Sequence, residues 1–150
     1  MAGKFRTALT ALATLSVPGV VHNFDVDSTP ERLTRASLPA LIVLPFLDAL
    51  EHRRFSEFNM ATPTGSIGLA HYYCTHMLLY APLGGKKAAR SLLPGLTDLL
   101  DNYATVMRLN SKLGGALFMP IDYLVIPAPI TWASGLYFGA RMICHITLEV

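Results

Sequence analysis

Apolar and polar positions recur along this chain with two periods, and the changes of period mark out its elements. Near the start Phe5, Ala8, Leu9 and Leu12 fall at steps of three and four, with threonines and Ser16 between and after them. That spacing predicts an amphipathic helix over residues 3–15, closed by Pro18-Gly19. Residues 20–26, Val-Val-His-Asn-Phe-Asp-Val, read as a strand running into the polar turn Asp27-Ser28-Thr29-Pro30. Ala40-Leu41-Ile42-Val43-Leu44, set between Pro39 and Pro45, has the length and punctuation of a buried strand. Residues 51–66 are the most polar stretch and predict a long exposed loop or hairpin. Residues 69–80 hold three tyrosines and neither Gly nor Pro, which suits a strand ending at Pro82-Leu83-Gly84-Gly85.

Helical spacing returns over 86–109, where Leu92, Leu96, Leu99, Leu100, Tyr103 and Met107 share a face. Pro94 is expected to kink this helix or to restart it as a first-turn residue. Residues 116–126 read as a strand made edge-like or bulged by Pro120, with Pro127-Ala128-Pro129 as the following turn region. From Leu136 to the end the alternation is strict, so the last segment is a long antiparallel strand with one buried face. The order is α, β, β, loop, β, α, β, β. Two helices serve about five strands through hairpin-like connections. The expected fold is therefore α+β, a mainly antiparallel sheet flanked by an N-terminal helix and one long helix. The chain length of 150 residues is that of one domain, spanning 1–150.

Composition sharpens this picture. Hydrophobic residues make up 52% and charged residues 15%, with a mean hydropathy of +0.42, which excludes a disordered tail or a collagen-like fibre. Twelve Lys and Arg against ten Asp and Glu leave a formal charge of +2 and no basic stripe, so a dedicated nucleic-acid module is excluded too. What remains is a membrane protein or a protein whose apolar surface meets partners. Residues 113–140 contain only Asp122 as a charge, but Pro120, Pro127 and Pro129 would break a spanning helix. Lys4 and Arg6 ahead of the Ala/Leu/Thr stretch only loosely imitate a signal peptide, and Ala2 stands where myristoylation requires Gly.

Candidate chemistry is sparse. His71, Cys74 and His76 are close in sequence, yet on a strand Cys74 and His76 share one face while His71 takes the other. A fourth ligand would have to come from Cys144 or His145, and the spacing matches no zinc motif, so no metal is expected. Cys74 and Cys144 can approach only if their strands are neighbours in register, and free thiols are expected. Gly84-Gly85-Lys86 fails as a phosphate loop, because the first Gly would fall at Tyr80 and Lys87 replaces the magnesium-binding hydroxyl. Asp25, Asp27, Asp48, Glu51 and His52 sit in loops and at strand ends, and no nucleophile elbow or H-E-x-x-H appears. No catalytic residue, cofactor site or enzyme activity is expected. Arg53, Arg54, Phe55 and Phe58 mix arginine with aromatics, a composition favoured at interface hot spots, and are the interface candidates.

The layout resembles the tail terminator proteins of long-tailed bacteriophages and the related tail-completion and neck proteins. The likeness lies in several features. An amphipathic N-terminal helix ends in Val17-Pro18-Gly19-Val20, and the turn from Asp25 to Pro30 leads to the segment Arg35-Ala36-Ser37-Leu38-Pro39 before the apolar strand. A His/Tyr-rich central strand precedes a long helix, Leu113-Gly114-Gly115 opens the final strands, and Tyr137-Phe138-Gly139-Ala140 begins the last. The resemblance implies a structural virion protein, assembled in the host cytoplasm and placed in the tail or neck. Such proteins form a ring, usually a homo-hexamer, that caps the tail tube, stops its polymerisation and offers the head-tail joining surface. The implied partners are further copies of the chain, the tail tube protein and a head-completion or neck protein. DNA would pass through the lumen without specific binding, and no membrane is involved. The alternatives are a small membrane-associated or secreted protein using the N-terminal stretch as signal or anchor, and a metal-dependent enzyme built on His71, Cys74 and His76.

Overall fold

Two fifteen-residue strands, β4 (Gly68–Pro82) and β6 (Gly135–Glu149), pair antiparallel along nearly their whole length and form the spine of the molecule. The computed structural model describes residues 3–47, 57–60, 68–83 and 85–149, with the backbone alone for 57–60 and 85–90. Around the spine stand α1 (Lys4–Ala13), β1 (His22–Phe24), β2 (Ala40–Leu44), β3 (Glu57–Met60), α2 (Gly85–Leu109) and β5 (Asp122–Trp132). The sheet order is β1-β2-β4-β6-β5, and β3 pairs with the start of β4 beyond the end of β2. Only β1 and β2 run parallel. The fold is thus α+β with a mostly antiparallel sheet, as the period changes along the chain imply.

One face of the sheet carries both helices. Ala8, Leu9 and Leu12 of α1 and Leu96, Leu99, Tyr103 and Met107 of α2 pack on Leu41, Val43, Ala70, Cys74, Leu78 and the even-numbered residues of β6. These are the helix positions that the three-and-four spacing singled out. The opposite face holds a smaller apolar cluster of Ile42, Leu44, Met77, Leu79, Ile130 and Tyr137. The segment between β1 and β2 folds across it with Leu33 and Leu38, and the Trp132 indole donates to the Pro30 carbonyl at 3.2 Å. The expectation of one buried face on β6 is corrected, since Tyr137 in this cluster and Ile143 and Thr147 further along the odd face are buried as well.

Several boundaries also differ from the sequence reading. The first strand is only three residues, paired with Ala40 to Ile42 of β2. Helix α2 runs unbroken through Pro94, ten residues in, so the proline does not restart it. The penultimate strand lies at 122–132 rather than 116–126. Residues ahead of it are held irregularly, with the Phe118 amide donating to the Thr147 carbonyl and the Ile121 amide to Ser111. The prolines expected to form a turn lie inside β5, and the reversal is the two-residue turn Ala133-Ser134, closed by the pair Trp132 and Gly135. The expected hairpin near 51–66 is described in part, as β3 returning against residues 68–71 of β4.

Candidate functional site

Of the interface candidates, Arg53, Arg54 and Phe55 lie outside the described residues. Phe58 is on β3, opposite Ala70 in the register, with only its backbone described. Among the described residues the exposed apolar surface concentrates elsewhere. Phe118, Met119, Leu124 and Val125 are each 39–52% exposed and occupy the approach to β5 and its first half. β5 is the outer strand of the sheet, so these side chains border a free hydrogen-bonding edge.

Proline placement tells which part of that edge is open. A proline cannot donate to a ladder, so Pro127 opposite Ala140 and Pro129 opposite Phe138 must be positions whose N–H would point away from β6. In an antiparallel ladder such positions alternate, which makes Tyr123 and Val125 the residues whose amides and carbonyls face outward at the other end of the strand. The second half of β5 therefore lacks outward donors at two successive positions, and the first half keeps them. Apolar side chains and unspent backbone groups coincide at residues 123–125. An interface could use both.

Polar groups on the two sheet faces form separate constellations. Beneath the helices His76 is fully buried between two partners. Its Nε2–H donates to the Asn23 side-chain oxygen Oδ1 at 3.0 Å, and its Nδ1 accepts from the Tyr103 hydroxyl at 2.9 Å. The Asn23 amide in turn donates to the carbonyls of Leu12 and Leu15, satisfying the end of α1. Burial pushes the His76 pKa down to about 3, so the ring stays neutral, and burial raises that of the Tyr103 phenol. Cys74 and Cys144 face each other across β4 and β6 as free buried thiols, and the contact with Cys144 pushes the Cys74 pKa well up, with burial adding to it. Nucleophilic chemistry needs an exposed thiol, and both of these are buried. The separation of His71 from Cys74 and His76 onto opposite faces holds as expected.

On the other face, two rows of polar residues lie side by side at the open end of the sheet. The register sets Glu57, His71 and Thr147 in one row and Tyr73, His145 and Asp122 in the next. His71 Nδ1 lies 3.0 Å from His145 Nε2, and the Asp122 carboxylate is 3.6 Å from His145 Nδ1. The Tyr73 ring stacks on His145 with centroids 4.8 Å apart. A shallow cleft of ≈ 220 Å³ opens beside them, lined by Tyr73, Asp122, Tyr123, Leu124, Ile143 and His145, and joins this row to the apolar edge. Spacing could not have found the pair, whose members are 74 residues apart in the chain. Compared with known protein families and with curated proteins, the chain matches none.

Proposed function

We propose that this chain is a structural, non-enzymatic subunit of the phage tail-terminator kind, closing into a ring on the end of a tail tube. The ring would stop tube growth and present a joining surface to a head-completion or neck protein, with DNA passing through its lumen. Its place would be the virion tail or neck. The observation that carries this reading is the half-open β5 edge, where Phe118, Met119, Leu124 and Val125 are exposed beside outward backbone groups. Leu124 lies on the Ile143 face of the sheet and Val125 on the Met142 face, so apolar side chains flank the edge on both sides, and such an edge on a weakly charged chain is stabilised by a protein neighbour. A heterologous contact of one edge with a different surface of the next copy closes into a ring when the rotation closes. The element order, a helix, four strands, a long helix and a final hairpin, is in keeping with the resemblance. Helix α1 buries Ala8, Leu9, Leu12 and Ala13 against the sheet, which weighs against its use as a membrane anchor. No helix among the described residues is long and apolar enough to cross a membrane.

Light scattering coupled to size exclusion, without detergent, tests the proposal together with negative-stain microscopy. Rings with a mass near six times 16.3 kDa are expected. A monomer at every concentration, or material recovered only in detergent, would overturn the reading.

A further inference from the structure

We propose that His71 and His145 form a site for one divalent transition-metal ion, with Asp122 as the outer partner of His145. The two imidazoles come from adjacent strands, His71 on β4 and His145 on β6, two residues apart in the register. Their planes are within 16° of each other, and the facing nitrogens are 3.0 Å apart. A neutral imidazole has one N–H and one lone pair. The Asp122 carboxylate, 3.6 Å from Nδ1 of His145, favours the proton there and leaves the Nε2 lone pair aimed at His71. Without metal the His71 Nδ1–H is donated into that lone pair. Moving this proton to Nε2 of His71 leaves two lone pairs facing each other along the contact, and a tilt of the rings turns them toward one cation.

The dimensions suit this exchange. Zinc binds histidine nitrogen at about 2.0–2.1 Å, so two nitrogens on one tetrahedral ion stand roughly 3.3 Å apart. The exchange needs the nitrogens to part by a few tenths of an ångström and each ring to tilt by roughly 35°, in rings that are not fully buried. The Thr147 hydroxyl, 3.4 Å from His71 Nδ1, supplies an oxygen on the same side. Tyr73, stacked on His145, fixes the plane of that ring. A carboxylate on the far nitrogen of a ligating histidine is the usual second partner in such sites, where it sets the tautomer and raises ligand basicity. Imidazole donors select Zn²⁺, Ni²⁺ or Cu²⁺ over Mg²⁺ or Ca²⁺. Among the described residues no three His, Cys, Asp or Glu side chains converge on one point, so the proposed site rests on the two histidine nitrogens. The site does not depend on ring formation.

Calorimetric titration of chelator-treated protein with Ni²⁺ and with Zn²⁺ at neutral pH tests it. One ion per chain is expected, abolished by His71→Ala and by His145→Ala, unchanged by His22→Ala, and weakened about 10–100-fold by Asp122→Asn. In the unaltered protein, added ion should move the ¹⁵N resonances of His71 and His145 and leave those of His22 and His76 in place, a readout independent of how the variants fold. No binding at millimolar ion, or binding that survives both histidine substitutions, would show that the pair only shares a proton and would overturn the proposal.

Discussion

At the scale of single residues, His76 ties four elements together and sets a pH dependence. It connects β4 to α2 through Tyr103 and to β1 and α1 through Asn23. The folded ring stays neutral down to about pH 3, whereas the same ring in the unfolded chain takes up a proton below its ordinary value of 6.5. Its contribution is therefore complete above about pH 6.5 and is lost as the pH falls toward 3, by about 1.4 kcal/mol per unit. Urea unfolding should show a loss of about 2 kcal/mol between pH 6.5 and pH 5 from this residue, and a His76→Gln chain should lack that component. Equal pH slopes in the two chains would refute the assignment. Gly139 is a residue whose identity is dictated by a backbone neighbour. A methyl group there would overlap the Leu78 carbonyl, a backbone atom that cannot step aside, and would also press on Ile130. Gly139→Ala should cost about 3 kcal/mol or more by overpacking, whereas Gly3→Ala, with open space around it, should leave the thermal midpoint nearly unchanged.

At the scale of elements, the β5–β6 hairpin shows tertiary pairing overriding local turn chemistry. Its two-residue turn places Ala133 at φ 48° and Ser134 at φ 67°, the left-handed region that costs non-glycine residues roughly 1–2 kcal/mol each. Nothing in Ala-Ser announces such a turn, whereas Pro127-Ala128-Pro129 does announce a break. The prolines are accommodated because both sit where the edge strand owes β6 no amide. Replacing the turn pair by Asn-Gly, through Ala133→Asn and Ser134→Gly, should raise stability by about 1–2 kcal/mol without moving the register. Denaturant midpoints would check this, and a loss of stability would mean that the reversal lies elsewhere.

At the scale of the whole molecule, the sheet has two unlike edges. β1 ends one side after three residues, and β5 ends the other with eleven, of which only the first few are open and apolar. Burying a Leu or Val side chain at an interface contributes about 1.5–3 kcal/mol, so a pair of them is worth well over tenfold in association. Leu124→Glu combined with Val125→Lys should therefore leave the circular dichroism of the monomer intact and abolish the ring seen by light scattering. Rings that survive the double substitution would place the contact elsewhere, with the region around Arg53, Arg54, Phe55 and Phe58 next to be tested.

How much of this was legible beforehand depended on whether the signal was local. Local periodicity defined β2 to the residue, the long alternating strand and the apolar faces of both helices. It did so because periods of two and of 3.6 are local consequences of backbone geometry. It also separated His71 from Cys74 and His76, for the same reason. Which strands are neighbours emerges from the folded sheet alone. That choice brings Cys74 to Cys144 and His71 to His145, places two prolines harmlessly on an outer strand, and exposes Phe118, Met119, Leu124 and Val125 rather than burying them. Pairing between distant segments is set by the summed packing of the whole sheet, and no short stretch of sequence carries that sum.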